Sequence, residues 1–239
     1  MAQLAVNVDH VATLKEARKS NYPEPAAAAM AAETAGAHGI VVHLREDRRH
    51  IQERDVRILR SIVQTKLILE MAATPSMIAL ALDIKPDCVT LVPEKREELT
   101  TEGGLDIISH ERHVKDVINQ LQNAGMQVSI FIDPDLDQIK VAHKINTDMI
   151  EIHTGAFCDA KTRKQRLREF DRIVDAAKIA NKLKLGVNAG HGISYTTIQA
   201  FKGLHEIDEF SIGHSIVSRS ILTGMEQAVR DMLELIKAL

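Results

Sequence analysis

The segment Ile40-Val41-Val42-His43-Leu44-Arg45-Glu46-Asp47-Arg48-Arg49-His50 passes from a short apolar run straight into imidazoles, guanidiniums and carboxylates. Side chains alternate along a strand, so Val41, His43 and Arg45 share one face. An imidazole with a guanidinium two residues on suits proton transfer beside a bound anion. Taken alone, the stretch also reads as a solvated loop leaving a strand. Similar groups recur along the chain, however. Asn7 and Asp9 alternate with Val6 and Val8, Glu70 opposes Leu69, and Thr90 lies between Val89 and Leu91. Glu151 and His153 alternate with Ile150 and Ile152, Asn188 opposes Val187, and Ser211 lies between Phe210 and Ile212. Burying that many polar groups without a purpose is expensive. A polar pocket lined by acids and bases explains them economically.

The histidines support the same reading. His10, His43, His153, His191 and His214 sit at or just past the ends of apolar runs, where they can act as acids and bases near neutral pH. His38, His110, His113, His143 and His205 read as helix or loop surface and receive no role. Two glycine-containing segments suit anions, because their backbone N–H groups can approach closely. They are Asn188-Ala189-Gly190-His191-Gly192-Ile193-Ser194 and Ser211-Ile212-Gly213-His214-Ser215, the latter opening the last helix. Arg45 and His50 offer a second anion site, joined by Thr100 if the long connection Pro93 to Asp106 folds over the mouth. Arg18 is a further cation able to serve either one. Two phosphate sites imply two phosphorylated substrates or one bisphosphate.

The elements that must position these groups alternate regularly. Strands are expected at Leu4–Val8, Ile40–His43, Leu67–Glu70, Cys88–Val92, Val128–Ile132, Met149–His153, Leu185–Asn188 and Phe210–Ile212. Helices are expected around Glu24–Ala35, over Glu53–Val63, from Thr74-Pro75 with Thr74 as cap, and at Ser109–Ala124. Others should run from Asp133-Pro134 towards Ile145, over Lys161–Asn181, from about Thr196, and from the eighth strand to the C-terminus. Eight strand–helix units without a break in composition predict one domain over residues 1–239, a closed (β/α)8 TIM barrel with a few extra helices or loops. The polar strand-end groups then meet at its C-terminal mouth. A doubly wound sheet would carry a G-x-G-x-x-G fingerprint, which is absent from the sequence.

Composition narrows the partners. A net charge of -3 and 3% aromatic residues disfavour nucleic-acid binding. No run approaches the length of a membrane span, and the opening apolar stretch is interrupted by Asn7, Asp9 and His10. Two cysteines, Cys88 and Cys158, suit a reducing cytoplasm. Cys88 reads as core, Cys158 has no motif to activate it, and Met126 and Met149 read as core. The basic run Lys161, Arg163, Lys164, Arg166 and Arg168 reads as a solvated or subunit-facing helix surface.

With Val6-Asn7-Val8-Asp9-His10-Val11-Ala12, His43 to His50, Glu70, Asn188-Ala189-Gly190-His191-Gly192 and Gly213-His214 assembled, the chain closely resembles the pyridoxine 5'-phosphate synthase family. The resemblance implies a TIM barrel that condenses 1-deoxy-D-xylulose 5-phosphate with 3-amino-2-oxopropyl phosphate, closing a pyridine ring and releasing phosphate and water. It implies no metal or organic cofactor, and assembly as a homo-octamer. By the same resemblance His43 and Glu70 are general bases, His191 is the proton donor, and Glu151 stabilises the transition state. Asp9, His10, Arg45, His50 and Thr100 correspond to the residues that bind the deoxyxylulose phosphate. Asn7, Arg18, Gly192, Gly213 and His214 correspond to those that bind the aminoketone phosphate. Two other readings compete: a metal-dependent barrel hydrolase with His10, His43, His153 and Glu70 as ligands, and a barrel that only binds a phosphorylated metabolite.

Overall fold

The structure, a computed structural model, describes residues 1–93 and 103–239. Parallel strands β1 (Gln3–Asn7), β2 (Gly39–His43), β3 (Leu67–Met71), β4 (Cys88–Leu91), β5 (Gln127–Ile132), β6 (Met149–His153), β7 (Gly186–Gly190) and β8 (Glu209–Ile212) pair in chain order, and β8 returns to β1 to close the barrel. Around it lie α1 (Asp9–Arg18), α2 (Pro25–Thr34), α3 (Glu53–Ile62), α4 (Pro75–Ile84) and α5 (Glu111–Asn123). The second half carries α6 (Leu136–Lys144), α7 (Gly155–Cys158), α8 (Arg163–Lys182), α9 (His214–Thr223) and α10 (Met225–Lys237).

Two apolar layers follow from strand alternation. Val6, Ile40, Val42, Leu67, Leu69, Val89, Leu91 and their equivalents point outward into one continuous core against the helices. Ala5, Val41, Ile68 and Cys88 point inward and form a separate small cluster, with Met149 packed against it. Two residues further along each strand the same inward face carries Asn7, His43, Glu70 and Thr90. The barrel interior is therefore apolar at one level and polar at the next. Met126 is buried in the outer core as expected.

Several expected elements differ. Helix α1, which begins at Asp9 straight after the first strand, is absent from the sequence reading. Its buried face is Asp9, Val11, Ala12 and Lys15, so two of four inward positions are charged and the apolar periodicity is masked. Lys15 is tolerated there because its Nζ lies 3.0 Å from Asp55 Oδ1, and Asp55 also completes the capping box of α3 with Gln52. The helix expected from Thr196 is one 3-10 turn, Ile198–Phe201. The single C-terminal helix is two, broken at Gly224, whose φ of 82° no helical residue adopts. Thr74 occupies the N-cap of α4 with Pro75 following, as expected, but its hydroxyl makes no cap bond and donates to Glu46 at 3.1 Å. Asp135, rather than Asp133, caps α6 by accepting from the backbone N–H of Asp137 and Gln138.

Candidate functional site

Strand register brings the inward polar groups side by side. His43 pairs with Glu70, Glu70 with Thr90, and Thr90 with Ser129. Across the barrel Phe131 pairs with Glu151, Glu151 with Asn188, and His153 with Gly190. The mouth is thus lined from β1 round to β8.

On the β1–β3 side, Asp9 is a hub. Its Oδ1 accepts from the backbone N–H of His43 at 2.9 Å, and its Oδ2 accepts from Asn7 Nδ2 at 2.9 Å. The Asp9 backbone N–H donates in turn to Asn7 Oδ1. This net ties the end of β1 to the end of β2. His43 Nδ1 stands 3.9 Å from Glu70 Oε2, a short step from hydrogen-bonding range. Burial, then the neighbouring Glu151 and Asp9 carboxylates, push the Glu70 carboxyl well above the usual range.

On the β6–β7 side, Glu151 is 4% exposed. Burial first and Glu209 second push its carboxyl up to about 8. Gly190 permits this placement, since a Cβ there would stand 2.0 Å from Glu151 Oε1. His191 takes φ 71°, a conformation few non-glycine residues adopt. Its carbonyl is fixed by the Thr154 hydroxyl at 2.6 Å. Burial, followed by the adjacent His153, draws its imidazole down to about 4. His153 Nδ1 lies 2.9 Å from Asp133 Oδ1, and that hydrogen bond, opposed by partial burial and aided by the Gly104 backbone N–H, holds Asp133 below the ordinary carboxylate range.

The rims carry the cationic and N–H groups suited to anions. Arg45 is buried with its Nε 3.4 Å from Asp47 Oδ1. His50 stands beside His43, ring centroids 6.1 Å apart, and burial above all lowers its proton affinity. Just past β1 and β8, His10 and His214 meet edge-to-face at 4.9 Å, both exposed. Gly213 immediately precedes α9, and Gly192 follows His191 with φ 81°. Two anion-friendly corners therefore flank one acid/base cavity.

The sequence matches the family described as "Pyridoxal phosphate biosynthesis protein PdxJ" over residues 4–238. The chain belongs to this family. Pyridoxine 5'-phosphate synthase of Desulforapulum autotrophicum is 72% identical over 239 residues, covering 100% of both chains. The enzyme of the same name from Desulfatibacillum aliphaticivorans is 59% identical over 235 residues, covering 98% of each. A crystal structure of KGPDC from Streptococcus mutans superposes with a TM-score of 0.62 at 15% identity, over 99% of this chain and 98% of that one; the likeness is one of fold.

Of the residues that the family resemblance singles out, Asn7, His43, Glu70 and Glu151 lie in strands, Arg45, His50, His191, Gly192 and Gly213 in the loops that follow strands, and Asp9, His10 and His214 in the first turn of the next helix. Arg18 is exposed at the far end of α1, about 13 Å along the helix from Asp9 at the usual rise per residue. Thr100 lies outside the described residues, as does most of the connection read as a lid. Among the described residues the hydrolase set His10, His43, His153 and Glu70 is not brought together as one group of ligand atoms. Among the described residues, Asp9, His43 and Glu70 do place one ligand atom each within 4.8 Å of one another. Both Asp9 oxygens already accept hydrogen bonds, and burial with the neighbouring carboxylates pushes the Glu70 carboxyl up, an arrangement suited to proton transfer. Cys158 is partly buried and its thiol is pushed up by that burial, which leaves it a poor nucleophile. The sequence reading missed two acids. Glu209 sits inside the barrel against Lys66 at 2.7 Å, and Asp133 holds His153.

Proposed function

We propose that this protein is a pyridoxine 5'-phosphate synthase that condenses 3-amino-2-oxopropyl phosphate with 1-deoxy-D-xylulose 5-phosphate. The observation that carries this is the gathering of His43–Glu70, Glu151 and His191 at one barrel mouth between two anion corners. Joining an amine to a ketone, expelling water and closing a ring demand several proton transfers on one bound framework. Imidazoles supply them near neutral pH, and carboxyls of raised proton affinity can serve as acid or base at that pH. His43 and Glu70 act as bases, His191 as proton donor, and Glu151 as a carboxyl facing charge that develops in the ring-forming steps. Arg45, His50, Asp9 and His10, with Thr100, take the deoxyxylulose phosphate. Asn7, Gly192, Gly213 and His214, with Arg18, take the aminoketone phosphate. Holding two small flexible phosphates together removes much of the entropic barrier to a bimolecular condensation. We place the enzyme in the cytoplasm as a homo-oligomer, an octamer by family resemblance.

Mixing the two substrates with purified protein should yield the fluorescent pyridine product with stoichiometric phosphate release. Tight binding of both without turnover would instead leave a barrel that merely binds phosphorylated metabolites. Arg45→Ala should raise KM for the deoxyxylulose phosphate at least ~10-fold, the range expected when a charge-assisted hydrogen bond is lost. Its KM for the aminoketone phosphate should change far less. An equal rise in both constants would remove Arg45 from that corner.

A further inference from the structure

Beside His191 lies a pair that the proposed reaction leaves unused, a buried imidazole held by a half-exposed carboxylate. His153 is 7% exposed and its Nδ1 lies 2.9 Å from Asp133 Oδ1. An ionised carboxylate only accepts hydrogen bonds, so the Nδ1 nitrogen must carry the hydrogen, and in the neutral ring Nε2 is left as an acceptor. That Nε2 is buried and meets no hydrogen-bond partner among the described residues. Buried polar atoms are nearly always paired, and an exception beside an acid/base centre calls for an explanation.

The surroundings supply one. A Cβ on Gly155 would come 2.5 Å from His153 Nε2 and 3.1 Å from His191 Cδ2, so both rings border the same small space above the glycine. The ring centroids are 5.0 Å apart at an interplanar angle of 68°. Phe131 backs both imidazoles, at 5.0 Å from His153 and 6.4 Å from His191. His191 is meanwhile held in an uncommon backbone conformation that needs support from its neighbours.

We infer that the Asp133–His153 pair is a positioning device for His191: Asp133 fixes the hydrogen on His153 Nδ1, and the ring so oriented sets both the placement of His191 and the charge beside it. The inference rests on the reading of His191 as proton donor. The titratable groups facing the His191 ring are His153 from β6, His10 from α1 and Asp159 just past α7. Of these, His153 is the one in ring contact with it. A proton on His153 works against a proton on His191; a neutral His153 directs a lone pair into the space that they share. Removing the ring therefore changes the ease with which His191 is charged, which a mere packing role would not do.

The test compares H153N, H153Q and D133N with wild type and with H191A. Asparagine at 153 retains an N–H within reach of Asp133 but lacks the distal nitrogen; glutamine restores a polar atom near that distal position. H153N should lower kcat by ~10-fold or more, the usual scale for a group orienting a catalytic side chain, with KM for both substrates within about 2-fold. The pH profile of kcat should shift to higher pH in H153N, and H153Q should recover part of the rate. D133N should lower kcat too, since an amide no longer dictates which nitrogen of His153 bears the hydrogen. Wild-type kcat in H153N overturns the inference. So does a loss of kcat and melting temperature with an unshifted pH profile and no recovery in H153Q, which marks His153 as packing alone. Wild-type turnover in H191A would overturn the donor assignment itself, a failure distinguishable from either.

Discussion

Glu151→Gln should cost turnover by ~10²-fold or more and, at the same time, stabilise the protein above neutral pH. The two effects have one cause. Glu151 lies at the barrel interior with Gly190 pressed against its carboxyl and Glu209 nearby, so its charged form is disfavoured and its carboxyl is raised from 4.5 to about 8. A folded-state value above the unfolded one means that the native protein binds the proton more tightly. Below pH 4.5 both states are protonated and no penalty exists. Between 4.5 and about 8 stability declines as pH rises, with a slope approaching about 1.4 kcal/mol per pH unit for this group. Glutamine fills the same space and cannot ionise, so the variant escapes the decline. Thermal melts of variant and wild type should coincide near pH 4.5 and separate progressively up to pH 8. Parallel curves across that range would show that Glu151 is not under this strain. Wild-type turnover in the variant would take the carboxyl out of the chemistry.

The barrel was legible because its strands are short apolar runs, and because period-2 alternation in parallel strands separates a helix-facing set from an interior set. Ile150 and Ile152 against Glu151 and His153 is the clearest case: the isoleucines enter the outer core while the acid and imidazole line the interior. The mouth could be read for the same reason. What escaped is what depends on distance rather than periodicity. Helix α1 was hidden because Asp9 and Lys15 occupy its inward positions, and they do so only because the barrel supplies His43 and Asn7 to one and Asp55 to the other. Asp133 resembled a helix-starting residue, since Asp-Pro is a turn signal. Its partner, His153, is twenty residues away, and only the pairing of β5 with β6 unites them. Glu209 precedes its apolar run and looks like a strand boundary. Its interior position follows from pairing with Asn188 and from the reach of Lys66 across the barrel. Gly190 gives no local sign of its role, because the atom it makes room for belongs to another strand.

His191→Ala should lower kcat by ~10²-fold or more with little change in either KM, because the side chain is asked to move a proton rather than to hold a phosphate. Its environment adds a second expectation. With its imidazole drawn from 6.5 down to about 4, by burial first and His153 second, His191 is uncharged in the free protein at neutral pH. An uncharged imidazole cannot open the reaction as an acid. It must first take a proton, either from substrate in an earlier step or because a bound anion makes the charged ring affordable. On the proposed reading the glycine loop after β7 and the His10–His214 pair would hold such an anion close by, and a dianionic phosphate within a few ångströms raises the proton affinity of an imidazole. The alkaline limb of kcat, where the donor of the loaded enzyme loses its proton, should therefore lie at higher pH than that of kcat/KM, which reports the free enzyme. Identical limbs would mean that substrate binding leaves His191 as it was, and that it is charged during the chemistry itself. Stability carries the opposite sign to that of Glu151. A base whose folded value is depressed destabilises the fold as pH drops from 6.5 to about 4, so His191→Ala should resist acid better than wild type across that window. One cavity thus holds a carboxyl that resists losing its proton and an imidazole that resists gaining one. Substrate charge, arriving at the rims, is what brings the two within reach of each other's chemistry.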